Sequence, residues 1–100
     1  MTRISPKIVD VYTTSTVVED LSPVAVGAVE VAVTFSSQRK SCLIYNDGPN
    51  NVHFSLTTGV TLNNFMIPAL DALQIVFPVT TLYFISEGKS TLYVLGERWN

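Results

Sequence analysis

The chain is predicted to fold as one all-β domain. The expected architecture is a β-sandwich of seven to nine short, mostly antiparallel strands with jelly-roll or Greek-key connections. Three observations predict it. Val (14), Ile (6), Thr (11) and the aromatic residues (10) supply 41 of the 100 residues, and these types fit a pleated, half-buried surface. Glu, Lys, Gln and Arg together number only 12, too few to clothe the outward faces of helices. Apolar runs return about every ten residues between turn-forming clusters, the spacing of sandwiches and barrels.

Residues 1–25 hold Arg3, Lys7, Asp10, Glu19 and Asp20, punctuated by Pro6 and Pro23. They are expected to form an N-terminal arm with one or two short strands, at 7–12 and 16–19, before a sandwich domain over 26–100. Thr16 and Glu19 also match the spacing of a helix-capping box, but no helix-length periodic run follows. The cleanest strand is 27–35, with Val29, Val31, Val33 and Phe35 on one face and Glu30, Ala32 and Thr34 on the other. A polar loop is expected over 36–40, then a strand over 41–45. Asn46-Asp47-Gly48-Pro49-Asn50 is a strong turn signal, because Gly supplies positive φ and Asx side chains close local turns.

Beyond that turn, Val52, Phe54 and Leu56 alternate with His53, Ser55 and Thr57. A longer loop over 58–64 and strands at 65–67, 73–77, 82–85 and 91–95 complete the set, with a hairpin turn expected at 87–90. The expected core is Val31, Val33, Phe35, Ile44, Phe54, Leu56, Ile75, Phe77, Phe84 and Val94.

Composition narrows the function. One hundred residues suffice for a single core that buries about two thirds of the chain's surface. One Cys excludes an intrachain disulfide framework. A net charge of −2 offers no basic field, so no nucleic-acid partner is expected. The uncharged run 72–86 is too short for a membrane span, so no membrane insertion is expected. Arg3 and Lys7 are followed by Asp10 and a Thr/Ser stretch and not by an apolar leader core, which points to synthesis in a cytoplasm.

Catalytic, cofactor and metal sites are not expected. His53 is the sole His and is read as a surface residue, since its neighbours Val52 and Phe54 take the opposite face. A zinc site needs three or four ligands, and a nucleophile triad needs an oriented base. Cys42 lies in an apolar run and is read as a buried small hydrophobe. Gly88-Lys89-Ser90 resembles the tail of a phosphate-binding loop, but position 83 is Tyr where that motif needs Gly, and a strand follows. The candidates for an interface or ligand platform are Trp99, Tyr45, Tyr83 and Tyr93, with His53 beside them.

The anomaly is charge. Residues 41–96 contain only Asp47, Asp71, Glu87 and Lys89, whereas Ser, Thr and Asn number 26 in the chain. A charge-depleted surface suits subunit packing. Self-association into a homo-oligomer is therefore expected, with the arm as a strap onto a neighbour and Trp99 as an anchor.

Residues 41–96 also carry a pattern. Ser41-Cys42-Leu43-Ile44-Tyr45-Asn46-Asp47-Gly48-Pro49-Asn50-Asn51-Val52-His53-Phe54 is followed by Met66-Ile67-Pro68 and Leu73-Gln74-Ile75-Val76-Phe77. Leu82-Tyr83-Phe84-Ile85-Ser86 and Ser90-Thr91-Leu92-Tyr93-Val94-Leu95 close it. This resembles small β-sandwich proteins of tailed-bacteriophage virions, found in tail, baseplate and head-accessory components. It is also similar to the linking domain of siphophage receptor-binding proteins. The chain departs from that pattern where Ala69-Leu70-Asp71 follows Pro68, in place of the usual Pro-Gly-Glu turn. The resemblance implies a non-enzymatic late-gene protein, made in the host bacterial cytoplasm, whose partners are itself and other virion proteins. A carbohydrate-binding or host-adhesion module, with a cell-surface saccharide as ligand, is the alternative.

Overall fold

A computed structural model describes residues 16–99, so the strand expected over 7–12 lies outside the described residues. The described chain is all strand and connection: β1 (Thr16–Asp20), β2 (Val24–Val26), β3 (Val31–Arg39), β4 (Ser41–Pro49), β5 (Val52–Ser55), β6 (Phe65–Ile67), β7 (Asp71–Ile75), β8 (Val79–Ser86) and β9 (Ser90–Trp99). They form two antiparallel sheets. Sheet A runs β1-β9-β4-β7, with β2 also on β9, and sheet B runs β3-β8-β5-β6.

β1 and β2 share one side of β9, because β4 occupies the other. Thr16 to Asp20 face Trp99 to Leu95, and Val24 to Val26 face Leu92 to Ser90. They act as a single strand interrupted at 21–23. Ser22 fills the interruption, its hydroxyl accepting from the Val94 N–H at 2.6 Å and lying 3.3 Å from the Val94 carbonyl oxygen.

Counted this way, the strands alternate between the sheets at every connection after β2 except β5–β6. That is jelly-roll connectivity, two interlocked Greek keys. Alternation buries the inward residues of both sheets in one core: Val26, Val33, Phe35, Cys42, Ile44, Val52, Phe54, Ile67, Ile75, Val79, Leu82, Phe84, Leu92 and Val94, with Val31 packed against it.

Several expectations are corrected. Glu87 to Ser90 does not turn a hairpin, since β8 and β9 belong to different sheets and the segment crosses between them. Val29 is 78% exposed because β3 begins only at Val31. Leu56 and Phe77 are exposed, not core: β5 ends at Ser55 and β7 at Ile75, so the period-2 alternation stops before reaching them. The polar loop expected at 36–40 is largely strand, with a register shift between Thr34 and Arg39 that turns Arg39 inward. The strand expected at 16–19 is present as β1, and both β1 and β2 pair with β9 in sheet A.

Asn46 is fully buried, and every polar atom of its amide is used. Its Nδ2 donates to the carbonyls of Asn50 and Ile67, each at 2.9 Å, and its Oδ1 accepts from the Gly48 N–H at 2.9 Å. The turn expected over 46–50 is largely strand: β4 runs to Pro49, which still pairs with Ser90 of β9, and Gly48, at φ 79°, lies in the register shift between Asn46 and Pro49.

The Phe54 ring lies 5.5 Å from Phe65 and 6.4 Å from Phe84 between centroids. Phe54→Ala is therefore expected to cost about 3–5 kcal/mol in denaturant unfolding. Leu56→Ala, two residues on and solvent-facing, is expected to cost under about 0.5 kcal/mol. Equal losses would show that the chain keeps its alternation past Ser55.

Candidate interaction surface

Two of the sequence candidates meet. Tyr45 and Tyr93 are register partners on β4 and β9, with ring centroids 6.4 Å apart and planes tilted by 34°. They lie on the outer face of sheet A, with the Leu43–Leu95 pair as the next row. One step the other way along β9, Ser90 and Thr91 line an open trough of about 440 Å³, together with 25–27 and Gly48–Pro49, and with Lys89 beside them. Tyr83 is elsewhere: it faces outward on sheet B, in register with Ala32 and Ser55. The backbone of Trp99 ends β9 opposite Thr16, and the anchoring role expected of its side chain lies outside the described residues.

His53 is corrected from surface to buried, at 5% exposure. Alternation does place it on the outer side of sheet B, in register with Met66 and Ile85. The segment after β5 then closes over it. His53 Nδ1 donates to the Asn64 carbonyl at 2.9 Å, while Nε2 is buried without a hydrogen-bond partner among the described residues. Glu30 pins the same segment, accepting from the Thr58 hydroxyl at 2.7 Å and from the Gly59 and Val60 N–H groups at 2.7 and 2.9 Å. These bonds, that of Thr58 foremost, hold the Glu30 carboxyl below its ordinary value of 4.5. Val60 is consequently buried although it stands outside the sandwich core.

A second polar cluster, missed in the sequence, ties β1 to β3 across the two sheets. Arg39 is only 1% exposed. Its Nη2 donates to Glu19 and, at 2.9 Å, to the Ser36 hydroxyl. Glu19 Oε1 also accepts the Ser36 N–H and hydroxyl, each at 3.0 Å. The Ser36 N–H is the main cause holding the Glu19 carboxyl below its ordinary value, with the Ser36 hydroxyl and the Arg39 charge adding to it against an opposing effect of burial. The guanidinium carbon stands 5.4 Å from the Phe35 ring centroid. Gly96 makes room for both side chains, since a Cβ there would lie 2.6 Å from Phe35 Cζ and 2.8 Å from Arg39 Cγ. The only signal in the sequence was a basic residue inside a polar run, which reads equally well as a solvated loop.

Among the described residues, a departure from an ordinary monomer surface is the flank where β6 and β7 end their sheets. Among the described residues each is paired on one side only, β6 to β5 and β7 to β4. On and around them stand the exposed apolar residues Leu62, Phe65, Met66, Leu70, Val76 and Phe77, with Phe65 at 61%, Leu70 at 70% and Val76 at 74%. Asp71 is the single charged residue between 54 and 86. Isolated edges are normally guarded by charge, Pro or bulges. Here the guard is slight: Asp71 Oδ1 covers the Ala72 N–H at 2.8 Å.

Among the described residues no group of three or more His, Cys, Asp or Glu is placed to hold a metal ion. Cys42 is buried as expected, and burial pushes its thiol up to about 12. Compared with known proteins, the chain matches no family model, no curated protein and no solved structure.

Glu19 and Glu30 make stability pH-dependent. Both carboxyls titrate lower in the folded chain than their ordinary value of 4.5. Their contribution is therefore full above that value and is lost as pH falls through the lowered folded values. Glu30→Gln is expected to lower the melting temperature at pH 7 and to speed proteolysis within 56–64. The difference from the parent should shrink as pH approaches 3. A melting difference that stays constant from pH 7 to 3 would mean that the Glu30 charge plays no part in holding the segment.

Proposed function

We propose that this chain is a non-enzymatic structural protein of a tailed-bacteriophage particle, of tail, baseplate or head-accessory type. It would be made in the host bacterial cytoplasm and act by packing against itself and other virion proteins. The observation that carries the reading is the β6–β7 flank, where two open sheet edges and six exposed large apolar residues coincide with a nearly uncharged surface. Exposed apolar patches of this kind mark interaction sites, and interface cores are depleted of charge. The phage assignment is supported by the resemblance carried by residues 41–96. It is supported also, by analogy of fold alone, by the recurrence of jelly rolls in viral capsid domains. Mass spectrometry of purified particles from a phage encoding the chain is expected to find it at a fixed, multi-copy stoichiometry. Its absence from particles, while it accumulates in infected cells, would overturn the reading.

A second reading, a carbohydrate-binding or host-adhesion module, is favoured by the Tyr45–Tyr93 pair beside the trough at Thr91. Aromatic faces stack on the apolar faces of sugar rings. A glycan array of bacterial surface saccharides is the check: binding lost in Tyr93→Ala supports it, and no binding to any of them removes it.

A further inference from the structure

We propose that the trough at Thr91 takes one pyranose unit of an uncharged saccharide, with a face of the sugar ring stacked on Tyr93 and its hydroxyls shared among Asp47, Thr91 and Lys89. The proposal rests on the adhesion reading and names the ligand class of that same surface.

Strand alternation builds the site. Burial alternates along β4 as far as Pro49 and along β9 from Ser90. Tyr45 and Asp47 on one strand, and Thr91 and Tyr93 on the other, therefore share the outer face of sheet A. Tyr93 is 43% exposed, and its register partner Tyr45 braces it from the neighbouring strand. Past Thr91 the trough is floored by the small residues Ala25, Gly27, Gly48 and Ser90, with Lys89 at its margin. An aromatic ring beside a shallow floor of small residues suits a flat ring laid against it. The trough's volume of about 440 Å³ lies within the range of small-ligand sites, about 300–1,000 Å³.

The polar groups of this face are unspent. Nearby, Asn46, Asn50 and Ser90 are bonded within the fold. Among the described residues, the side chains of Tyr45, Asp47, Lys89, Thr91 and Tyr93 enter no hydrogen bond or ion pair. The Asp47 carboxylate only accepts and the Lys89 ammonium only donates, whereas the Thr91 hydroxyl does either. Asp47 opposes an anionic ligand and Lys89 a cationic one. A neutral polyol uses both, giving its hydroxyl protons to the carboxylate and its oxygens to the ammonium.

The backbone argues against a peptide. β9 is paired with β4 on one side and with β1 and β2 on the other, so its ladder groups under the trough are taken and no strand can be added there. Recognition is left to an aromatic face and to side-chain donors and acceptors. A pyranose matches that set, with apolar C–H faces and a hydroxylated rim.

The test is titration of the amide resonances of the full chain with the methyl glycosides of glucose, galactose and mannose. Glucuronate as an anion, glucosamine as a cation and a proline-rich peptide are titrated beside them. At least one neutral glycoside is expected to bind with a dissociation constant on the order of 1 mM, as suits a single ring on an open site. It is expected to shift the signals of Gly48, Thr91 and Tyr93. Tyr93→Ala is expected to weaken binding by about tenfold or more, and Asp47→Asn and Lys89→Met by about tenfold each, because each removes a charge-assisted hydrogen bond. Tyr83→Ala, on the outward face of sheet B, is expected to leave it unchanged. Circular dichroism reports whether each variant folds, and Lys89→Met carries the test if Tyr93→Ala does not. Binding of glucuronate, glucosamine or the peptide without any neutral glycoside overturns the proposal. Neutral binding that survives both Tyr93→Ala and Lys89→Met overturns it too. In either case a surface saccharide bound on the glycan array leaves the adhesion reading standing without it, whereas no binding in the titrations or on the array removes both.

Discussion

The buried amide of Asn46 is the joint on which the sandwich turns. A side-chain amide in an apolar interior is costly unless its donors and acceptor are bonded. Here the bonds reach Gly48, Asn50 and Ile67. The Asn46 backbone adds another, its carbonyl accepting from the Leu70 N–H at 2.7 Å. One residue therefore fixes the passage from β4 to β5 and both ends of the crossing from β6 to β7. Ser90 and Asn51 extend the same joint. The Ser90 hydroxyl is bonded to the Asn50 main chain at 2.7 and 2.9 Å, and the Asn51 carbonyl accepts from Ser86 Oγ at 2.8 Å. The crossings at this end of the molecule thus share one polar network, which is why a chain of such short strands can change sheets so often and still satisfy its backbone.

At the β1–β3 side a different tie operates. Glu19, Ser36 and Arg39 join the interrupted first strand to the opposite sheet, and Gly96 leaves the space that Arg39 and Phe35 occupy. A buried ion pair adds little net stability over an apolar filling, but its bonding geometry admits few alternatives. Glu30 does comparable work on the surface by holding the segment that covers His53. Several of the chain's few charges are thus engaged in internal bonds, which leaves the outward surface more neutral still.

That neutrality gives the β6–β7 flank its meaning. The Asn46 joint sets β6 and β7 side by side as the ends of their two sheets, and the residues that flank them are large, apolar and exposed. An edge with free backbone groups and an apolar rim gains from association in two ways, through ladder hydrogen bonds and through removal of apolar area from water. The tyrosine pair on the outer face of sheet A is separate from this flank and belongs to a different chemistry, that of stacking on a ligand.

The residues alone determined the strand content, the alternating cores of β3 and β5 as far as Phe35 and Phe54, the positive φ at Gly48 and the burial of Cys42. These depend on local periodicity and backbone preference, which neighbouring residues set. Tertiary structure decided what depends on residues distant in sequence. Whether 87–90 closes a hairpin or crosses between sheets turns on which strand lies beside β9, and β4, β1 and β2 occupy both of its sides. His53 has the alternation of a surface residue and is buried because Asn64 and Glu30, 11 and 23 positions away, bring a segment over it. Arg39 sits in a polar run and turns inward because a register shift aims it at Glu19 on the other sheet. Leu56 and Phe77 continue an apolar pattern past the ends of their strands, and only the ladder shows where the pattern ceases to count. The pairing of Tyr45 with Tyr93 and the exposure of Leu70 and Val76 belong to the same class, because both follow from strand order, and strand order is a property of the packed core.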